Sequence, residues 1–203
     1  MKEFGTAAIL CGGKSRRMGF DKRDIKIDGK LLIEIIAEQL EQVFEEIILV
    51  SNDKKKFRHM KYRVVEDSLP DSGAIGGIYT ALNYAVSNYV FITACDMPII
   101  NLHYIKYMKE LIKSENYQGV ASYNSGQIEP LQAFYSKGMV SIFKHQLDEN
   151  NFKLLKVISN CNMHYVEDEI VRTYCKDMCI FTNLNYKTDL ILLEKACNLT
   201  LEE

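Results

Sequence analysis

The stretch "ILCGGKSRRMGFDK", residues 9–22, decides how this chain is read. It ends a short apolar run, "TAAIL" at 6–10, on two adjacent glycines. Lys14, Arg16, Arg17, Lys22 and Arg23 then crowd into the residues that follow. A buried strand that stops at Gly12-Gly13 lets backbone N–H groups approach a ligand with no Cβ in the way. Phosphates are satisfied by such N–H groups together with Lys and Arg. A turn alone needs the glycines but not the cations. On chemistry alone, a loop that holds an anion and a solvated turn with surface cations stand side by side. The familiar phosphate patterns do not apply. G-x-G-x-x-G is absent, and no earlier glycine completes a P-loop before Lys14-Ser15, so dehydrogenase and P-loop kinase readings are disfavoured.

Outward from this loop, strands and helices alternate. "LLIEIIAEQLEQVF" (31–44) places Leu32, Ile35, Ile36, Leu40 and Val43 at helical spacing. "EIILVSN" (46–52) and "YRVVED" (62–67) read as strands, "AIGGIYTALNYAV" (74–86) as a helix despite its glycines. "YVFITACD" (89–96) is a strand halted by Asp-Met-Pro, and "LHYIKYMKELIK" (102–113) a helix. Past residue 118 the pattern loosens into strands "QGVASY" and "EPLQAFY", one or two helices over 137–160, and a final helix after "TNLN" (182–185). This alternation predicts an α/β fold, a mostly parallel sheet with helices on both sides. Such sheets bind ligands at the carboxyl ends of their strands. Gly12-Gly13, Asn52, Asp67 and Asp96 all fall at or just past predicted strand ends.

The chain has 203 residues, with 25 basic and 27 acidic side chains and a net charge of -2. That length suits one compact domain, and the second half is expected to close over one side of the rim. The near-neutral balance argues against a general nucleic-acid or membrane-surface binder, so the N-terminal cations are a local device. The six cysteines form no Cys-x-x-Cys pair, and Cys175/Cys179 has no second pair at zinc-ligand spacing. They read as free thiols of a reducing compartment. No apolar run approaches the ~20 residues of a membrane span, and "MKEFGTAAIL" does not fit a secretory signal. A soluble, cytoplasmic protein is expected, with no nucleic-acid or membrane partner.

Asp96 in "ACDMP" has two readings. It is a carboxylate held at the mouth of the sheet for a hard cation such as Mg²⁺, or a turn residue capping the helix that follows. The basic loop on the same rim favours the metal. Asn52 and Asp67 alone are ordinary turn residues. Ser15 lacks a paired base for nucleophilic catalysis, and the four histidines show no ligand spacing. The Tyr and Met stretches read as core.

"LCGGKSRRMGFDK" is similar to the signature of nucleotidyltransferases that activate small molecules with NTP. With "VSN" (50–52), "EDSLPDSGAIGGIYTAL" (66–82), "ACDMP" (94–98), "EPLQAFY" (129–135) and "TNLN" (182–185), the chain resembles the molybdenum cofactor guanylyltransferases along nearly its whole length. The resemblance implies a Rossmann-like three-layer α/β/α sandwich over 1–203, with a nucleotide-binding half to about 117 and an acceptor-binding half from about 118. It implies transfer of GMP from Mg-GTP to the phosphate of molybdopterin, with pyrophosphate released, and partners among the proteins of the cofactor pathway. By position, Leu10, Cys11, Gly12 and Gly13 line the nucleotide, Lys22 contacts phosphate, Asn52 and Asp67 contact the nucleotide, and Asp96 binds GTP and Mg²⁺. Lys14 and Arg17 are the loop's other motif cations. Lys22, Lys14 and Arg17 are assigned to the leaving pyrophosphate, and Asn185 is expected near the metal or the pterin phosphate.

There are departures. Cys11 replaces the family's usual Ala, which raises the expectation that a thiol reagent inhibits and that GTP protects. Tyr186, Lys187 and Thr188 replace the usual Thr-Pro-Glu. The same chemistry with another base or acceptor, as in a cytidylyltransferase or a sugar-phosphate nucleotidyltransferase, is the nearest rival. Base choice would rest on backbone around 71–77. A non-catalytic nucleotide-binding module is the rival from another class, and retention of both Lys22 and Asp96 favours an enzyme.

Overall fold

The computed structural model describes residues 2–12, 21–27, 29–69 and 71–184. The first part of the chain runs β1 (Thr6–Leu10), a 3-10 turn (Lys22–Asp24), β2 (Lys26–Ile27), β3 (Lys30–Leu31) and α1 (Leu32–Leu40). β4 (Glu46–Val50), β5 (Arg63–Val65), α2 (Gly73–Tyr84), β6 (Tyr89–Ala94) and α3 (Leu102–Glu115) follow. Then come β7 (Gly119–Asn124), β8 (Gln127–Ser136), α4 (Val140–Asp148), α5 (Leu154–Ile158), β9 (Met163–Val166) and α6 (Asp168–Tyr174). Seven strands form one sheet in the order β5-β4-β1-β6-β8-β7-β9, and β2-β3 is a separate ribbon. β8 is antiparallel to β6 and β7, and the other pairs of the large sheet are parallel. The expected Rossmann-like α/β/α sandwich with a mostly parallel sheet is what forms.

β1 is the centre, and every residue of it is buried. A parallel strand covered on both faces reads as an unbroken apolar run, which is why "TAAIL" shows no alternation. Its side chains still alternate in space. Ala7 and Ile9 join Leu32, Ile33, Ile36 and Leu40 of α1 and Tyr104, Ile105 and Met108 of α3 in one core. Ala8 and Leu10 join Ile75, Ile78 and Leu82 of α2 and Phe143 of α4 in the other.

The expected helix over 31–44 ends early, at Leu40. Val43 and Phe44 both donate their N–H to Leu40 O at 3.0 Å, so the chain tightens into a turn. The apolar spacing is real but is used differently, since Phe44 stacks on Phe91 of β6 with ring centroids 5.6 Å apart. At the start of α1, Glu34 reaches back to accept from Leu31 N–H at 2.9 Å, one half of a capping box. α3 is capped by Asn101, whose side chain accepts from Tyr104 N–H at 2.9 Å. It ends on Asn116 in the left-handed conformation, φ 51°. The rival role for Asp96, capping α3, therefore belongs to Asn101.

Three features lie outside the sequence reading: the β2-β3 ribbon, β9 and α6. The expected final helix over 188–199 lies outside the described residues. No helix among the described residues is long and apolar enough to cross a membrane.

β7 lies between β8 and β9, and Gly119 faces Tyr135 on one side and Met163 on the other. A Cβ there would sit 2.4 Å from Phe134 O and 2.7 Å from Met163 Sδ, so a backbone carbonyl would have to move. Gly119→Ala is expected to lower Tm by roughly 5 °C or more through overpacking. Thermal unfolding followed by circular dichroism checks this, and an unchanged Tm would show that the sheet yields there at no cost.

Candidate active site

The strands β4, β1 and β6 end level, with Leu10 beside Val50 on one side and Ala94 on the other. The ladder continues one residue beyond, through Cys11 N–H to Val50 O at 2.8 Å and Cys95 N–H to Leu10 O at 3.1 Å. Past that line the chain turns polar, and the turns border a cleft of about 750 Å³ at the carboxyl edge of the sheet.

Leu10, Cys11, Gly12, Asn52, Asp67 and Asp96, all expected at the site, line this one cleft. Gly13, Lys14, Arg17 and Asn185 lie outside the described residues. Lys22 opens the 3-10 turn Lys22–Asp24, and its side chain lies outside the described part. The cleft also takes in residues the sequence reading did not assign to it: Arg23, Cys95, Leu131 and Asn183. Asp71, Gly73, Ala74 and Gly77 complete one wall, where the reading had placed only backbone contacts to a base.

That wall is the start of α2. Asp71 (φ 69°) and Gly73 (φ 68°) both adopt left-handed backbone, which folds the chain sharply before the helix begins. Ser72 Oγ donates back to Leu69 O and locks the turn. The first N–H groups of α2 have no intrahelical acceptor, so the helix presents its positive end to the cleft. Gly77 lets this helix ride close over β1, since a Cβ there would meet Leu10 Cδ2 at 3.1 Å.

Asp67 is half-buried and accepts from Leu69 N–H at 3.1 Å and Thr80 Oγ1 at 3.3 Å. Burial raises its pKa against the opposing pull of these donors. Asn52, just past β4, is exposed and lines the same cleft. Asp96 is half-buried just past β6, and its main-chain oxygen accepts from Leu184 N–H at 2.9 Å. That bond brings Asn183 to the cleft. Gln132, 2 % exposed and at φ 51°, anchors the same segment by donating to Ile99 O at 2.9 Å and Ile180 O at 2.5 Å. β8 bulges around this residue. Ser122 pairs with Glu129 and Val120 with Phe134, so four residues of β8, 130–133, lie opposite the single residue Ala121 of β7. Bulges of this kind re-aim side chains beside functional sites, and here Leu131 reaches the cleft. Burial, and to a lesser degree the nearby Asp96, raise the pKa of Glu129.

No group of three or more His, Cys, Asp and Glu side chains among the described residues could hold a metal ion by itself.

A parallel α/β sheet with a polar cleft beyond its strand ends, walled by a helix start, is the frame of a nucleotide-handling protein. The chain belongs to the MobA-like NTP transferase domain family, whose model matches residues 7–164. It is 40% identical over 187 residues to the molybdenum cofactor guanylyltransferase of Syntrophotalea carbinolica, covering 92% of this chain and 89% of that protein. It is 38% identical over 194 residues to a probable molybdenum cofactor guanylyltransferase of Peptoclostridium acidaminophilum, covering 93% and 88%. Among solved structures it is similar to molybdopterin-guanine dinucleotide biosynthesis protein A of Archaeoglobus fulgidus, at a TM-score of 0.82 and 26% identity, covering 95% of this chain and 98% of that one. The resemblance carried by the signature motifs is borne out, and the protein is a nucleotidyltransferase.

One expectation is corrected. Cys11 was expected to react with thiol reagents in a nucleotide-protected way. Its side chain is 1 % exposed, belongs to the core with Ile9 and Ile36, and donates to Ile9 O at 3.3 Å. Burial pushes its thiol well above the usual range, so little thiolate forms. Alkylation of Cys11 by iodoacetamide at pH 8 is expected to run at least about tenfold slower in the native protein than in urea, with or without GTP. Peptide mapping by mass spectrometry reads this, and rapid native labelling blocked by GTP would restore the original expectation.

Proposed function

We propose that this protein transfers GMP from GTP to the terminal phosphate of molybdopterin, giving the guanine dinucleotide form of the cofactor and pyrophosphate. One observation carries the reading: Asn52, Asp67 and Asp96, with the end of β1 and the start of α2, share one cleft in a chain 40% identical to a guanylyltransferase. The wall made by β1, β4, β5 and α2 holds the nucleotide, in the half up to about residue 117. The wall made by β8 and Asn183, in the half from about 118, receives the acceptor. Both halves belong to one domain.

The chemistry asks for charge control more than for covalent help. An acceptor phosphate oxygen attacks the α-phosphorus, the α–β bridging bond breaks, and pyrophosphate leaves. The acceptor phosphate and the triphosphate repel one another, so the protein must neutralise charge and hold the two in line. Lys22, with Lys14 and Arg17, takes the leaving pyrophosphate. The first N–H groups of α2 face the nucleotide with their positive dipole end. Backbone of 71–77 offers hydrogen bonds to the base edge, the kind of contact that discriminates strongly between bases. Asp96 holds Mg²⁺, which when bound supplies charge neutralisation and polarisation at the α-phosphate. Asn185 serves the metal or the pterin phosphate. The reaction belongs to the cytoplasm, beside the pathway proteins that deliver molybdopterin and receive the product.

Ligand that binds the native state raises its stability by mass action. Thermal-shift titration is expected to show a rise with GTP and Mg²⁺ and little with ATP, CTP or UTP. A rise with CTP alone would assign a cytidylyltransferase instead. Asp96→Asn is expected to cut turnover, read as pyrophosphate release with GTP and molybdopterin, by about a hundredfold or more. The bond from Leu184 N–H to the main-chain oxygen of residue 96 does not use the carboxylate, and circular dichroism checks that the variant is folded. Turnover near wild type in a folded Asp96→Asn protein would remove the metal assignment.

A further inference from the structure

Arg23 is the only cation among the described side chains that line the cleft, where Asp67, Asp71 and Asp96 supply carboxylates. It is also an unusually constrained arginine. The Asp21 carboxylate accepts from Arg23 N–H at 3.0 Å, from Nε at 2.8 Å and from Nη2 at 2.6 Å. Lys56, from the turn after β4, donates to the same carboxylate at 2.9 Å and pairs with Asp24 at 2.5 Å. These donors, above all the Arg23 guanidinium, hold the Asp21 carboxyl well below the usual carboxylate range. Asp21 is thus saturated, and its work is to orient its neighbours.

The hydrogen bonds of Arg23 to other described residues use its backbone N–H, Nε and Nη2. Nη1 is left on the far edge of the fork, and about a quarter of the side chain is exposed, 24%. Arg23 lines the cleft together with Cys11 and Cys95, the residues just past β1 and β6. An arginine fixed along one edge at the lining of a cleft suits a phosphate, because its fork is already oriented before the ligand arrives.

We propose that Arg23 is a phosphate-binding residue of the nucleotide site, fixed by Asp21 and Lys56 so that its free edge meets the β- or γ-phosphate of the incoming triphosphate. Asp21 and Lys56 are positioning residues. The inference rests on the GTP-dependent reading above and adds to it a group that the loop cations Lys14, Arg17 and Lys22 do not include.

Calorimetric titration of GMP, GDP and GTP with Mg²⁺ into the full chain separates this role from a structural one. Arg23→Gln is expected to weaken GTP by about tenfold while GMP changes less than twofold, with Tm near wild type. Arg23→Lys should fall between, since it keeps the charge without the fork. Asp21→Asn should weaken GTP in the same phosphate-dependent way, and should add little when combined with Arg23→Gln, because residues acting as one unit are not additive. GTP affinity unchanged in Arg23→Gln, or an equal loss for GMP and GTP, would overturn the proposal while leaving the transferase reading intact. A wild-type protein that binds no nucleoside triphosphate would bring down both.

Discussion

The structure depends on one constraint: β1 has to be covered on both faces and paired on both edges. Its parallel neighbours β4 and β6 cannot be joined to it by tight hairpins, so α1 lies between β1 and β4 in the chain and α2 between β5 and β6. α1 and α3 cover one face and α2 and α4 the other. Because the three strands end level, every polar residue expelled from the apolar runs lands on the same rim. The cleft follows from the burial of β1 more directly than from any one side chain around it.

The opposite wall is built by a different rule. β8 runs against β6, so it brings the beginning of a strand to the edge where the others finish. It also breaks its own ladder there, and the backbone strain at Gln132 is held by two carbonyls, one before α3 and one after α6. Glu129, Leu131, Asn183 and the main chain of Asp96 are thereby tied into one neighbourhood. The wall made by β1, β4, β5 and α2 is regular sheet and helix, and the wall made by β8 and Asn183 is irregular backbone under restraint.

Much of the first wall was legible in the sequence. Buried parallel strands are short apolar runs cut off by Gly-Gly, Ser-Asn or Asp-Met-Pro, and these show without any knowledge of partners. Asn52, Asp67 and Asp96 could be placed on one rim because strand ends share a rim in this architecture. The second wall was less legible. β9 has four residues, two of them half-buried, and α6 has seven residues with Val171 as its one buried side chain. Neither is long enough for a period to declare itself. Leu131 reaches the cleft through a bulge that no spacing announces, and Asn183 through a main-chain bond to a residue far earlier in the chain. Arg23 was visible as one cation among several. What singles it out is Lys56, 35 residues from Asp21, whose approach depends on the sheet already being formed.

The register of β1 has a consequence for the order in which the chain becomes a protein. Its two edges are filled by segments that begin at Glu46 and Val90, both later in the chain, so β1 waits for both. Such non-local pairing delays folding, because long loops must close before the contacts reward them. Until Ala94 has emerged, β1 carries an open edge flanked by apolar residues, a surface that invites pairing with other chains. The wall made by β1, β4, β5 and α2 therefore assembles late for β1, and exposure to aggregation is concentrated between the synthesis of Leu10 and that of Ala94.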